Sequence, residues 1–138
     1  MTQRNTTFEL SIKSDTKNIR QVEKFFRSLN KNYFHLHKDK FFSLLLAVSE
    51  AVNNGIIHGN KNDHGKKVFI TCSLKNKTLT TTVKDEGDGF QPKNIPNPTM
   101  EENIFKIGGR GVFLIKSYMN GVRFNKKGNA ITMKMRLE

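Results

Sequence analysis

The chain has 138 residues, 36% of them hydrophobic, and one cysteine, Cys72, so it can bury a core but cannot close an internal disulfide. No run approaches the roughly eighteen apolar residues of a membrane span, and the opening MTQRNTTFEL lacks the basic-then-apolar order of a secretory leader, so a cytoplasmic location without a membrane is expected. The net charge of +12 favours anionic partners, yet lysines and arginines are spread along the chain with no polybasic run, which disfavours nucleic acid.

In chain order, Thr7 to Ile12 alternates with Phe8, Leu10 and Ile12 on one side, the pattern of a half-buried strand. Ser14-Asp15 supplies cap chemistry for a helix over about 16–29, with Ile19, Val22, Phe26 and Leu29 at helical spacing. Residues 30–37 read as a polar connection, in which His35 and His37 are surface residues rather than metal ligands. From Phe41 to Asn60, FFSLLLAVSEAVNNGIIHGN, the spacing of Phe41, Leu44, Leu45, Val48, Val52 and Ile56 predicts a buried helix. Glu50, Asn54 and His58 fall close to one line along it. A carboxylate and a carboxamide one turn apart on an apolar helix are costly unless something polar meets them. His58 reads as a core or capping residue.

A turn-rich break, Gly59 to Gly65, precedes two strands, Val68 to Leu74 and Leu79 to Val83, joined at Lys75-Asn76-Lys77. Cys72 alternates with Ile70 and Leu74, which makes it a core thiol rather than a nucleophile. The C-terminus repeats the theme with Val122 and Phe124, then Ile131, Met133, Met135 and Leu137. Each strand has one apolar face. That predicts an α+β, two-layer α/β sandwich: a mixed, mostly antiparallel sheet with helices on one face. Between the strand pairs, residues 85–107 form a connection long enough to be a lid or binding loop, followed by a short helix opening at Gly108-Gly109-Arg110-Gly111.

Two stretches carry candidate chemistry. Asp85-Glu86-Gly87-Asp88-Gly89 ends a strand with a carboxylate suited to an amino-group donor, beside glycines that permit close approach of a flat ligand. Taken alone, it fits a β-turn with solvated acids better. The glycines at 108–111 can free main-chain N–H groups to surround phosphate oxygens, with Arg110 adding charge, or can simply join a loop to a helix. Neither cluster matches a P-loop or a Rossmann fingerprint.

In order, SEAVNNGIIHGN, VKDEGDGF, a long lid and a glycine-rich helix start resemble the GHKL, or Bergerat-fold, ATPase superfamily. Within it the chain is most similar to the stand-alone anti-sigma factor serine/threonine kinases of the RsbW/SpoIIAB type. The resemblance implies one histidine-kinase-like ATPase domain over 1–138, with an ATP lid at about 90–107, binding ATP and Mg²⁺. It implies that Glu50 is the general base, Asn54 a Mg²⁺ ligand, Asp85 the acceptor for the adenine amino group, and Gly87 and Gly89 the floor of the base pocket. Gly109, Arg110 and Gly111 would hold the phosphates. The implied activity is phosphorylation of a serine on a STAS-domain anti-anti-sigma protein, with sequestration of a sigma factor and a homodimeric assembly. The alternative is a nucleotide-dependent binding module without kinase activity, and a third reading is nucleic-acid binding driven by charge. One departure stands out. Gly128-Asn129-Ala130 occupies the place where the family has Gly-Thr, which leaves the usual contact with the adenine-site aspartate open.

Overall fold

The alternating segments pair as expected. In the computed structural model, which describes residues 6–88 and 110–137, β1 (Thr6–Lys13), β2 (Lys67–Lys75), β3 (Thr78–Asp85), β4 (Gly121–Phe124) and β5 (Ala130–Arg136) form one sheet in the order β1-β2-β3-β5-β4. Every pairing among the described residues is antiparallel, so the sheet is not mixed there. Asn76 and Lys77 both adopt positive φ (52° and 60°), the arrangement of a two-residue turn whose twist matches the strands it joins. This fixes the β2–β3 register, Val68 opposite Asp85 and Leu74 opposite Leu79.

That register collects the apolar side chains on one face. Ile12, Val68, Ile70, Cys72, Leu79, Val83, Ile131, Met133 and Met135 are buried there beneath the helices. A 3₁₀ turn (Thr16–Asn18), capped by the Asp15 carboxylate accepting from the Lys17 N–H at 3.1 Å, leads into α1 (Ile19–Leu29). Residues 30–34 are not a polar connection. They form a π turn that carries Phe34 into the core, 6.2 Å from Phe8, because burying that ring outweighs the polarity of its neighbours. His35 then ends the turn at φ 53°, and His37 Nδ1 caps α2 (Lys38–Asn54) by accepting from the Asp39 N–H at 3.4 Å.

Helix α2 buries Leu44, Leu45, Ala47, Val48, Ala51 and Val52, packs against α1, β3 and α3 (Arg110–Tyr118), and widens into a second π turn at Gly55–Gly59. Within the 22-residue run Lys38–Gly59 an 18-residue window reaches a mean hydropathy of 1.2, which meets a membrane span's needs by length and composition only, as the core helix of a folded domain also can. Its apolar residues are spent on the core instead. The π turn also departs from the constant pitch behind the line expected through positions 50, 54 and 58, and His58 is exposed rather than core.

Among the described residues no helix covers the opposite sheet face. Register places Lys13, Lys67, Lys75, Lys84, Arg123, Lys134 and Arg136 on it against Glu9 as the acid, around a hydroxyl-rich centre in which Thr82 and Thr132 meet at 3.1 Å. Charge that looks diffuse in the sequence is thus gathered by period-two alternation.

Candidate functional site

Strand β3 runs its last residue, Asp85, against the widened end of α2. Asp85 faces the helices, like Leu79, Thr81 and Val83 before it, and is 9% exposed. A methyl built on Gly55 would touch Asp85 Cβ at 3.6 Å, an ordinary contact. One built on Gly59 would overlap the Asp85 carboxyl group, 2.7 Å from Oδ1 and closer still to Cγ and Oδ2. One built on Gly87 would fall 2.6 Å from the Gly59 carbonyl carbon. Gly87 is therefore needed for close backbone approach and not for a left-handed turn, since the glycine with positive φ among the described residues is Gly128.

The carboxylate is held from its own loop: the Gly87 N–H donates to Asp85 Oδ1 at 2.8 Å. Burial pushes the Asp85 carboxyl above its usual range, opposed by that N–H and by the positive charges of Lys127 and Lys66. Two asparagines complete the surroundings. The Asn60 carboxamide accepts from the Glu86 N–H (2.8 Å) and donates to the Lys67 carbonyl (2.9 Å) and Ser14 Oγ (2.6 Å). Asn129 Nδ2 donates to the Asp85 carbonyl at 3.1 Å, its Oδ1 accepts from Asn125 Nδ2 at 2.7 Å, and its own carbonyl accepts from the Asp85 N–H at 2.9 Å. The threonine position of the resemblance thus reaches the aspartate through its main chain and not through its carboxylate.

Asn54 is the last residue of α2 and adjoins Gly55, while Glu50 lies one turn earlier, about 6 Å back along the axis. Both are half-buried, and neither has a hydrogen-bond or ion-pair partner among the described residues. The structure therefore brings the Asn54 end of α2 and the Asp85–Gly87 turn together. Arg110 and Gly111 open α3, which packs on α2; their side chains, together with Gly89, Gly109 and the 90–107 lid, lie outside the described residues.

Chemically, the arrangement offers a fixed buried acceptor at one end and, a short helical distance away, a carboxamide and a carboxylate without partners among the described residues. Among the described residues no three His, Cys, Asp or Glu side chains gather into a metal cage. The donor set around Asn54 suits a hard cation that draws most of its oxygens from a bound phosphate and from water. The sequence reading missed Asn60, gave Gly59 no role in the site, and left the contact made by Asn129 open. The HGN end of the helical segment was the available signal: a glycine and an asparagine where a helix meets a strand end.

The histidine kinase-like ATPase domain family matches residues 12–135 of the chain. A protein of Oceanobacillus iheyensis named anti-sigma F factor is 31% identical over 109 residues, covering 72% of this chain and 71% of that protein. The anti-sigma F factor of Clostridium perfringens is 32% identical over 101 residues (66% and 69%), and that of Shouchella clausii 41% over 63 residues (41% and 43%).

Proposed function

We propose that this chain, which belongs to the histidine kinase-like ATPase family, is a cytoplasmic, ATP-dependent anti-sigma factor with protein serine kinase activity. In this reading Asp85 accepts from the adenine amino group, a choice that selects adenine because guanine presents a carbonyl there. Asn54 supplies an oxygen to Mg²⁺, and the bound ion neutralises charge on the triphosphate. Glu50 takes the proton from the attacking serine hydroxyl of a STAS-type anti-anti-sigma protein. Gly109 and Gly111, with Arg110, hold the phosphates under the 90–107 lid. The unmodified STAS protein and a sigma factor then compete for a homodimer of this chain.

The observation that carries the reading is the abutment of the Asp85 carboxyl on Gly59, which sets a buried acceptor beside the Asn54 end of α2. Glu50 one turn back, without a partner among the described residues, favours phosphotransfer over simple nucleotide-gated binding, because binding alone has no use for a base there. Calorimetric titration with ATP and GTP, with and without magnesium, tests the site. Adenine preference, magnesium dependence and loss of ATP binding in Asp85→Asn are expected. Equal affinity for the two purines overturns the assignment.

A further inference from the structure

We infer that Asn60 and Asn129 are positioning residues that grip one peptide plane, the Asp85–Glu86 bond, and thereby set the discrimination between adenine and guanine; this rests on the role proposed for Asp85. The two polar groups of that plane are its carbonyl, bonded by Asn129 Nδ2, and its N–H, bonded by Asn60 Oδ1. In a trans peptide they point in opposite directions. The two carboxamides therefore hold the plane from its two edges.

Each replaces a rung of the sheet. Continuing the β2–β3 register past Val68–Asp85 would set Lys67 opposite Glu86 and let them exchange two main-chain bonds. Instead the Asn60 carboxamide is inserted between the Glu86 N–H and the Lys67 carbonyl, and the Lys67 N–H donates to Glu86 Oε1 at 2.6 Å. On the other side, the β3–β5 register would set Asp85 opposite Asn129. The Asp85 N–H does donate to the Asn129 carbonyl, but the Asn129 N–H turns to Asn125 Oδ1 at 3.0 Å, and its side chain supplies the missing bond to the Asp85 carbonyl. Ladder bonds end on both sides of the same peptide plane, and side chains take over.

Both carboxamides are buried, Asn60 at 1% and Asn129 at 5% exposure, where an unmet polar group is costly. The plane they hold fixes the backbone from which the Asp85 side chain springs, and the Gly87 N–H fixes the carboxylate itself. Directional recognition of a base edge responds to small errors in such a placement, whereas phosphate contacts elsewhere do not.

Asn129→Asp keeps the shape and the acceptor for Asn125 but removes the donor to the Asp85 carbonyl. Calorimetry with magnesium-ATP and magnesium-GTP is expected to show ATP affinity reduced about tenfold or more with GTP affinity within twofold of wild type, so that the ATP:GTP ratio collapses. Asn125→Asp, at an exposed turn position, withdraws the bond that orients the Asn129 amide and is expected to lower the same ratio to a smaller degree. In Asn60→Ala, backbone hydrogen exchange at Glu86 should accelerate well beyond that of neighbouring β3 amides. Wild-type discrimination retained in both Asp variants, or equal losses for ATP and GTP that track lowered thermal stability, overturns the positioning role while leaving the site intact. Wild-type protein that does not discriminate ATP from GTP removes the site reading and this inference together.

Discussion

Gly59 and Asp85 are separated by 26 positions in the chain, yet the Cα of one lies where any side chain would collide with the carboxyl of the other. This contact joins the two halves of the candidate site. It arises because the π turn at Gly55–Gly59 swings the end of α2 toward the end of β3. Gly59→Ala should push the carboxyl or the turn aside, costing about 1–3 kcal/mol of stability as overpacking does and weakening ATP binding at least tenfold. In an Asp85→Ala background the three atoms that this methyl meets most closely are gone, so most of the stability penalty should disappear. A double-mutant cycle by urea denaturation reads the coupling directly, and additive effects would contradict the contact.

Burial of the Asp85 carboxyl raises its pKa, so the fold disfavours the ionised form. Above both its folded and its unfolded value the group is charged in both chains, and there burial is a net cost to folding. As pH falls into the window between its raised folded value and the ordinary 3.8, the folded protein takes up the proton first and this cost is relieved. Asp85→Asn should therefore melt higher than wild type at pH 7, on the order of a few degrees, with the difference shrinking as pH approaches 4. Paired melting curves from pH 4 to 7 test this, and a variant that melts lower at pH 7 would oppose it. A site that gives up stability to keep a charged acceptor is a mark of function.

The thiol of Cys72 follows the opposite branch of the pH scale. Burial pushes it up to about 11 from the ordinary 9.0, slightly offset by its contact with the Thr81 hydroxyl at 3.6 Å. Below pH 9 the thiol is neutral in both states and favours neither. Between pH 9 and about 11 the unfolded chain ionises while the folded one does not, so folded stability falls as pH rises, by up to about 1.4 kcal/mol per unit. Cys72→Ala should lack this component of the alkaline slope. In native protein at pH 8 the thiol should also resist Ellman's reagent until denaturant is added, and rapid labelling would show it to be accessible.

Strand residues were legible because alternation has a period of two and nothing in this fold interrupts it: the inward series Val68, Ile70, Cys72 and Leu79, Thr81, Val83 is the one the pattern predicts. Asp85, as the last inward residue of β3, was legible on the same ground. The π turns were not, because a helical line drawn at constant pitch through Glu50, Asn54 and His58 contains no mark of where the helix widens. The role of Asn60, and the contact that Asn129 makes in place of the one left open, were hidden for a different reason. Their decisive partners, Ser14 and Asp85, lie 46 and 44 residues away, and a polar residue beside glycine reads locally as turn chemistry. The cationic sheet face escaped notice because it exists only once the register of five strands is known.

Glu50 separates the two activities that a bound nucleotide can serve. It is half-buried on α2, one turn before Asn54 and without a partner among the described residues, so its removal leaves no other side chain of that set unpaired. Glu50→Ala should accordingly fold, with a melting temperature within a few degrees of wild type, and bind ATP with affinity within about threefold. Phosphotransfer to a STAS-domain protein should fall by about 10²–10⁴, the range in which a positioned base contributes. The two measurements, calorimetric ATP affinity and radiolabel transfer under single-turnover conditions, must diverge. Parallel loss of both would place Glu50 in nucleotide binding, and unchanged transfer would show that the hydroxyl proton leaves by another route.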